Sequence, residues 1–330
     1  MASILKDQIN LKQTTSHTYT ASSHPDWSIG PALHGGCVAA VLHHAAATHL
    51  TTTLAAQNQP DVQTLHFEFL RACELSDSAI TVTDVKLGAG TSTLQLHLSQ
   101  GGKLRVVALA TSTNFDMSAG PSAPTSWALL PPPKPVPDFE LAEAHKPEPN
   151  WIPGRINGEI VPGNRRILSL TPRGGPVEGI SDVWNRFDGD ERIDATYLAM
   201  MVDYFPSLSD TLLRTGGLYD DHRNYAITSS WAEKHPGVPA TIPNSLREAL
   251  GETIFNHTVT LDIQFKRRLP KDGVKWAFTR TTTKMLEDGR MDLDVEIFNE
   301  KMELLCLSRQ FILVLDAKRR FKGGKTKAAL

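Results

Sequence analysis

Apolar and polar residues alternate along two separate stretches of the chain. The alternating apolar positions are Leu65, Phe67 and Phe69 in the first stretch and Val259, Leu261, Ile263 and Phe265 in the second. A period of two residues predicts β-strands with one buried face. An Ala- and Leu-rich stretch with helical character precedes each run, over residues 37–55 and 193–213. The pattern therefore predicts the same plan twice, a helix followed by strands.

A proline-rich segment, residues 116–150, separates the two halves. Such a density of proline prevents helix interiors and central strands, so we expect an extended connector here. The chain then divides into a first repeat over residues 1–115, the linker over 116–150, and a second repeat over 151–330. We expect an α+β fold in which each repeat wraps one long helix in an antiparallel sheet.

The two halves can be aligned on each other with few gaps. Pairing Phe69 with Phe265 and Lys103 with Lys301 matches the turns that interrupt the strands. One of these turns is Gly101-Gly102 in the first half, and Asn299-Glu300 occupies the matching place in the second.

Composition excludes several classes of partner. The 330 residues carry a formal net charge of -2, so no broad positive field attracts nucleic acid or an anionic membrane. No apolar run approaches the roughly 20 residues of a membrane span. The three cysteines are scattered, which favours a reducing compartment. We expect a cytoplasmic protein, and the C-terminal KTKAAL does not match a peroxisomal signal.

Several strings resemble the acyl-CoA thioesterase II family. IDATYLAMMVD (193–203), WNRF (184–187) and DGRMDLDVEIFNEKMELLCLSRQ (288–310) are similar to its C-terminal half. PALHGGCVAAVL (31–42) and LGAGTSTLQLHLSQGGKL (87–104) are similar to its N-terminal half. The resemblance implies a double hot-dog fold and a hydrolase of lipid metabolism that cleaves an acyl-CoA, or a related thioester of an acyl or polyketide chain, without a cofactor or metal.

The resemblance also implies three catalytic positions in the second repeat, Asp203, Thr258 and Gln310, which together hold a water molecule. Asp203 lies among apolar helix neighbours, where a carboxylate is expensive unless it has a purpose. Gln310 stands in the apolar run CLSRQFILVL, where an amide needs a partner. Thr260 is an equally good local candidate for the threonine, and only the family spacing selects Thr258.

His34, Gly35 and Gly36 stand where the first apolar helix begins. The first amides of a helix have no partner within the helix and carry the positive end of its dipole. We expect the amides of Gly35 and Gly36 to polarise the thioester carbonyl. The alternative is that these glycines only permit a close entry into the helix.

The repeat alignment pairs Asp203 with His43, Thr258 with Val62, and Gln310 with Ser112. The first half therefore lacks the polar set of the second. His43, His44 and His49 are not spaced to place two ligands on one helical face, so no metal site is expected from them. The C-terminal GGKT lacks the remainder of a phosphate-binding loop.

Two other functions stay open at this stage. A dehydratase or cyclase on the same scaffold could use His34 and Asp203 as an acid/base pair. A non-catalytic acyl carrier would bind acyl-CoA without releasing a thiol. The segment 216–252 could cover the pocket or mediate assembly, and a homodimer is compatible with the exposed sheets of the predicted fold.

Overall fold

The computed structural model describes residues 4–204, 209–218 and 220–316. The basic C-terminal segment with its GGKT sequence lies outside these residues. The described helices are α1 (Ile4–Ile9), α2 (Gly35–Thr51), α3 (Phe139–Glu143), α4 (Ala195–Tyr204), α5 (Ser209–Leu212), α6 (Asp221–Lys234) and α7 (Leu246–Gly251).

Strands make up most of the remaining regular structure. The strands before residue 116 are β1 (Lys12–Gln13), β2 (Thr18–Ala21), β3 (Ser28–Ile29), β4 (Ala32–Leu33), β5 (Asp61–Phe69), β6 (Ser78–Lys86), β7 (Ser92–Gln100) and β8 (Lys103–Thr113). Those after residue 150 are β9 (Trp151–Gly158), β10 (Ile167–Pro172), β11 (Ile180–Phe187), β12 (Ala240–Asn244), β13 (Ile254–Phe265), β14 (Ala277–Thr282), β15 (Leu286–Glu287), β16 (Arg290–Phe298) and β17 (Leu304–Asp316).

One continuous sheet joins the two halves. Its strand order is β1-β2-β6-β7-β8-β5-β13-β17-β16-β14-β11-β10-β9-β12, with β15 on β16. The halves meet where β5 pairs antiparallel with β13, and His66 faces Asp262 at the centre of this pairing. Leu65 pairs with Ile263 on one side of that centre, and Phe67 pairs with Leu261 on the other, so the junction has a local twofold symmetry.

The two central helices pack against each other inside the sheet. Helix α2 is apolar on nearly every side, which is typical of a helix with no solvent-facing surface. It runs antiparallel to α4, because Gly36 lies against Met200 while His43 lies against Thr196. Helix α2 begins two residues and ends four residues before the predicted range 37–55. Helix α4 ends at Tyr204, well before the end of the predicted range 193–213.

The proline-rich segment is more than an extended connector. It contains α3, and its side chains cover one face of the second repeat's sheet: Trp127 stacks on Phe298, and Phe139 stacks on Trp276. Together they enclose a second apolar core of Leu129, Ala142, Trp151, Leu168, Leu170, Trp184, Trp276, Phe278 and Phe298. The ring contacts of Trp127 and Phe139, with the burial of Leu129 and Ala142, hold the segment against the sheet.

Residues 216–252 fold as helix, strand and helix. Strand β12 pairs with β9 in parallel and forms the last strand at that edge of the sheet, with Ala240 opposite Gly154. Helices α6 and α7 flank β12 in the chain. Within the described part of the chain, no helix has both the length and the hydropathy of a transmembrane segment.

Candidate active site

Asp203 lies in the last turn of α4, beside the beginning of α2. Its side chain is only 10% exposed. Burial raises the pKa of this carboxyl from 3.8 to about 7, although the hydrogen bond from the Thr258 hydroxyl and the nearby Gly36 N–H act in the opposite direction. A carboxylate with this pKa can accept a proton near neutral pH.

A β-bulge turns Thr258 towards Asp203. Strand β13 shifts register against β17 between Thr258 and Thr260, so Thr258 pairs with the buried Ile312. Without the bulge, Thr258 would share the outward face of Thr260. The Thr258 hydroxyl donates a hydrogen bond of 3.0 Å to Asp203 Oδ1.

Gln310 is buried on the inner face of β17 and uses both ends of its amide. Its Nε2 donates to the carbonyl oxygen of Val202 at 2.7 Å, and its Oε1 lies 3.4 Å from the Thr258 hydroxyl. Because that hydroxyl has one proton, its shorter bond to Asp203 is favoured over the bond to Gln310. The structure thus brings the three predicted residues together in the order Gln310, Thr258, Asp203.

Gly35 and Gly36 allow α4 to approach the first turn of α2. A Cβ atom on Gly35 would overlap Oδ2 of Asp203, and one on Gly36 would overlap the carbonyl oxygen of Met200. The two glycines therefore permit the close packing of α4 against the beginning of α2. Gly35 is needed because the Asp203 side chain occupies the space that a Cβ atom would take.

His34 caps α2 and engages one of the two glycine amides. Its Nδ1 accepts a hydrogen bond of 3.0 Å from the Gly36 N–H. Burial lowers the pKa of His34 to about 4, so the ring is neutral at pH 7 although Nδ1 lies 3.8 Å from Asp203 Oδ2. Among the described residues, the Gly35 N–H has no acceptor in the protein. The two amides that sequence reasoning treats alike are thus in different positions.

Two neighbours of the site have no clear signal in the sequence. The ring of Tyr204 packs beside His34, with 5.2 Å between centroids. Cys37 is buried next to Asp203, and this burial raises the pKa of its thiol well above the ordinary value. Cys37 is therefore protonated and is a poor nucleophile.

The first repeat has the same backbone arrangement with apolar side chains. Strand β5 has a bulge between Val62 and Thr64, which matches the bulge of β13 and makes Val62 the counterpart of Thr258. His43 contacts the first turn of α4 through Thr196 at 3.2 Å, as Asp203 contacts the first turn of α2.

The predicted pairing of Gln310 with Ser112 is wrong. Leu261 faces Gln310, and its counterpart Leu65 faces Ala110, so Ala110 is the equivalent of Gln310. The error comes from the hairpin turns, because residues 299–303 form a longer loop than Gly101-Gly102. Pairing Lys103 with Lys301 ignores the added length.

Two family models match this chain. Residues 131–314 match the acyl-CoA thioesterase C-terminal domain, and residues 23–114 match the acyl-CoA thioesterase N-terminal domain. The chain belongs to the acyl-CoA thioesterase family. This thioesterase is a thioester hydrolase, and the C-terminal match includes the whole 216–252 segment.

Similar proteins cover almost the full length of the thioesterase. The thioesterase-like protein TwmA of Talaromyces wortmannii is 29% identical, over 100% of this chain and 97% of its own. A hot-dog-fold protein from Alicyclobacillus acidocaldarius has a TM-score of 0.63 at 16% identity, covering 96% of this chain and 99% of its own. The acyl-CoA thioesterase II TesB2 of Mycobacterium marinum has a TM-score of 0.57 at 16% identity, covering 98% and 100%. The predicted double hot-dog fold is confirmed.

Proposed function

We propose that the thioesterase hydrolyses an acyl-CoA by activating a water molecule at Asp203. In this proposal Thr258 and Gln310 orient the carboxylate and the water. The thioester carbonyl oxygen binds at the beginning of α2, where the Gly35 N–H donates to it. Gly36 has the different task of admitting α4, because its own amide bonds to His34.

The proposed reaction has two steps. Asp203 takes a proton from the water as the oxygen attacks the carbonyl carbon, and the electron pair of the C=O bond moves to oxygen. The Gly35 N–H and the positive end of the α2 dipole stabilise the resulting oxyanion. The intermediate then re-forms the C=O bond and breaks the C–S bond, and the proton on Asp203 passes to the departing thiolate. The products are a carboxylic acid and coenzyme A.

The proposal is supported chiefly by one observation: the Thr258 hydroxyl donates to Asp203, Gln310 Oε1 lies 3.4 Å from that hydroxyl, and the Asp203 carboxylate lies against Gly35. This arrangement holds a base with a pKa of about 7 beside an amide that has no acceptor among the described residues. A base and an oxyanion donor in contact are the two requirements for adding water to a carbonyl.

The test is release of free thiol from a series of acyl-CoA chain lengths. Asp203→Asn should lower kcat by about 10²–10⁴-fold, the range for loss of a general base. Thr258→Val should lower it by about 10²-fold, because the carboxylate loses its orienting bond. Thr260→Val removes the same hydroxyl two residues away and should leave kcat unchanged.

Four results would contradict the proposal. Unchanged turnover in Asp203→Asn would remove the base, and equal losses in the two threonine variants would remove the specific role of Thr258. Acyl-CoA binding by the wild type without thiol release would favour the carrier function. Conversion of a hydroxyacyl thioester with the thioester bond intact would favour the dehydratase.

A further inference from the structure

Three side chains distant in sequence meet at the other end of α2. His17 precedes β2, His49 lies in the last turn of α2, and Asp84 is on β6. The Nε2 atoms of His17 and His49 lie 3.1 Å and 2.9 Å from the two carboxylate oxygens of Asp84. One donor atom from each of the three residues lies within 4.8 Å of the other two. Two imidazoles and a carboxylate form a donor set that suits divalent transition metals.

A second layer of hydroxyl groups holds the two imidazole rings. The Tyr19 hydroxyl lies 3.0 Å from His49 Nδ1, and the Ser16 hydroxyl lies 2.9 Å from His17 Nδ1. Metal-binding histidines commonly have such a partner on the ring nitrogen that does not touch the metal. A hydroxyl oxygen can accept a hydrogen bond from Nδ1–H, so a ring with its proton on Nδ1 can turn the lone pair of Nε2 towards a shared ion and keep this bond.

The cluster is closed on one side and open on the other. His49 is fully buried, whereas the side chain of His17 is 42% exposed and that of Asp84 is 20% exposed. Solvent therefore reaches the group from the side of His17, and water can complete the coordination of an ion held by three protein ligands. The exposed ring of His17 can also move the short distance that coordination requires.

We propose that His17, His49 and Asp84 bind a divalent transition-metal ion of the zinc type. The ion would tie the last turn of α2 to the edge of the sheet formed by β2 and β6. A cation at this place also complements the negative end of the α2 dipole. His49 is 14 residues from Gly35, which is about 20 Å along a helix, so the ion has no part in the thioester chemistry.

The alternative is a cluster held by hydrogen bonds alone. In that case the two imidazole N–H groups donate to Asp84 and no ion enters. The two cases differ in whether added metal binds and stabilises the chain, because a ligand that binds only the folded state raises its unfolding temperature.

The experiment uses the full-length protein after treatment with a chelator and dialysis. Zn²⁺ is titrated by calorimetry, Co²⁺ is titrated by visible absorption, and Tm is measured with and without Zn²⁺. His17→Gln removes one ligand but keeps an amide that can bond to Asp84. The control is His66→Gln, since His66 is 41% exposed and contacts Asp262 and Glu68, but among the described residues it is in no group whose donor atoms lie close enough to share an ion.

The proposal predicts one equivalent of Zn²⁺ per chain in the wild type and in His66→Gln. At a free concentration about 100 times Kd, Zn²⁺ should raise Tm by about 3–5 °C in both proteins. His17→Gln should weaken binding by at least about tenfold and lose the Co²⁺ absorption bands, with an unchanged Tm in the absence of metal and unchanged thiol release. Absence of stoichiometric binding in the wild type would overturn the proposal, as would equal binding by the wild type and His17→Gln.

Discussion

Asp203→Asn should stabilise the folded thioesterase at alkaline pH even though it removes most of the activity. The wild-type carboxyl has its pKa raised from 3.8 to about 7 by burial. About 3 pKa units correspond to roughly 4 kcal/mol, at 1.36 kcal/mol per unit, as the cost of keeping the buried group ionised. Asparagine avoids this cost and keeps an acceptor for Thr258, but its neutral oxygen loses the charge assistance of that hydrogen bond, worth about 1–2 kcal/mol. The net gain is about 2–3 kcal/mol.

This stabilisation has a defined pH window. The carboxyl binds its proton more tightly in the folded state than in the unfolded state, so wild-type stability falls as the pH rises from about 4 to about 7. Asparagine does not titrate, so the variant lacks this loss. The difference in Tm should be near zero at about pH 4.5 and reach about 3–6 °C at about pH 8.5.

Scanning calorimetry in buffers of constant ionic strength measures the difference. Asp77→Asn, at an exposed carboxylate, controls for removal of a negative charge and should show no such trend. A Tm difference that is constant across the window would refute the argument, because it would mean that Asp203 titrates alike in the folded and unfolded chain. A lower Tm for Asp203→Asn at about pH 8.5 would mean that the lost charge assistance outweighs the burial of charge.

Two further predictions concern catalysis. The value of kcat/KM should rise with pH through a midpoint near 7 as Asp203 loses its proton. Thr258→Val should move this midpoint upward, because the hydroxyl stabilises the ionised carboxyl. An unshifted midpoint, measured from initial rates, would show that another group titrates. Gly35→Ala should lower kcat by about 10²-fold, because the added methyl group displaces the Asp203 carboxylate. The control is Gly90→Ala, whose methyl group meets nothing within 4 Å and should leave initial rates unchanged. Equal rates in the two alanine variants would mean that the position of the carboxylate against Gly35 is not needed for catalysis.

Much of the fold can be predicted from local pattern, because hydrophobic alternation indicates a strand with one buried face and an all-apolar helix indicates a helix buried on every side. The strands that contain Phe67 and Ile263 follow directly from a period of two residues. The proline-rich segment is harder, because its composition indicates only that it is irregular. Stacking of Trp127 on Phe298 depends on a sheet face more than 150 residues away.

The site shows where local pattern stops being sufficient. Simple alternation from Leu261 and Ile263 places Val259 on the inner face and Thr258 outside. The bulge of β13 reverses this, and a bulge depends on the pairing of two strands. The family spacing selects Thr258, but only the register against Ile312 explains why its hydroxyl can reach Asp203. His17 and Asp84 are likewise brought to His49 by sheet pairing, which no spacing within one helix indicates.

In the proposed mechanism one repeat supplies the base and the other supplies the Gly35 N–H, and the duplicated architecture explains this division. Antiparallel packing places the first turn of α2 beside Asp203 of α4, and the first turn of α4 beside His43 of α2. The fold therefore offers two equivalent sites. At one of them a carboxylate faces the glycines of α2. At the other, neutral His43 faces Thr196, with Val62 and Ala110 in the counterpart positions.

A second buried carboxylate at His43 would add a cost of several kcal/mol without the hydroxyl and amide that orient Asp203. Burial lowers the pKa of His43 to about 3, so its ring remains neutral at physiological pH and avoids that cost. Because folded proteins are only marginally stable, a buried carboxylate at both positions would be costly. The chain has it only at Asp203, where Gly35 leaves room for the carboxylate and the Thr258 hydroxyl donates to it.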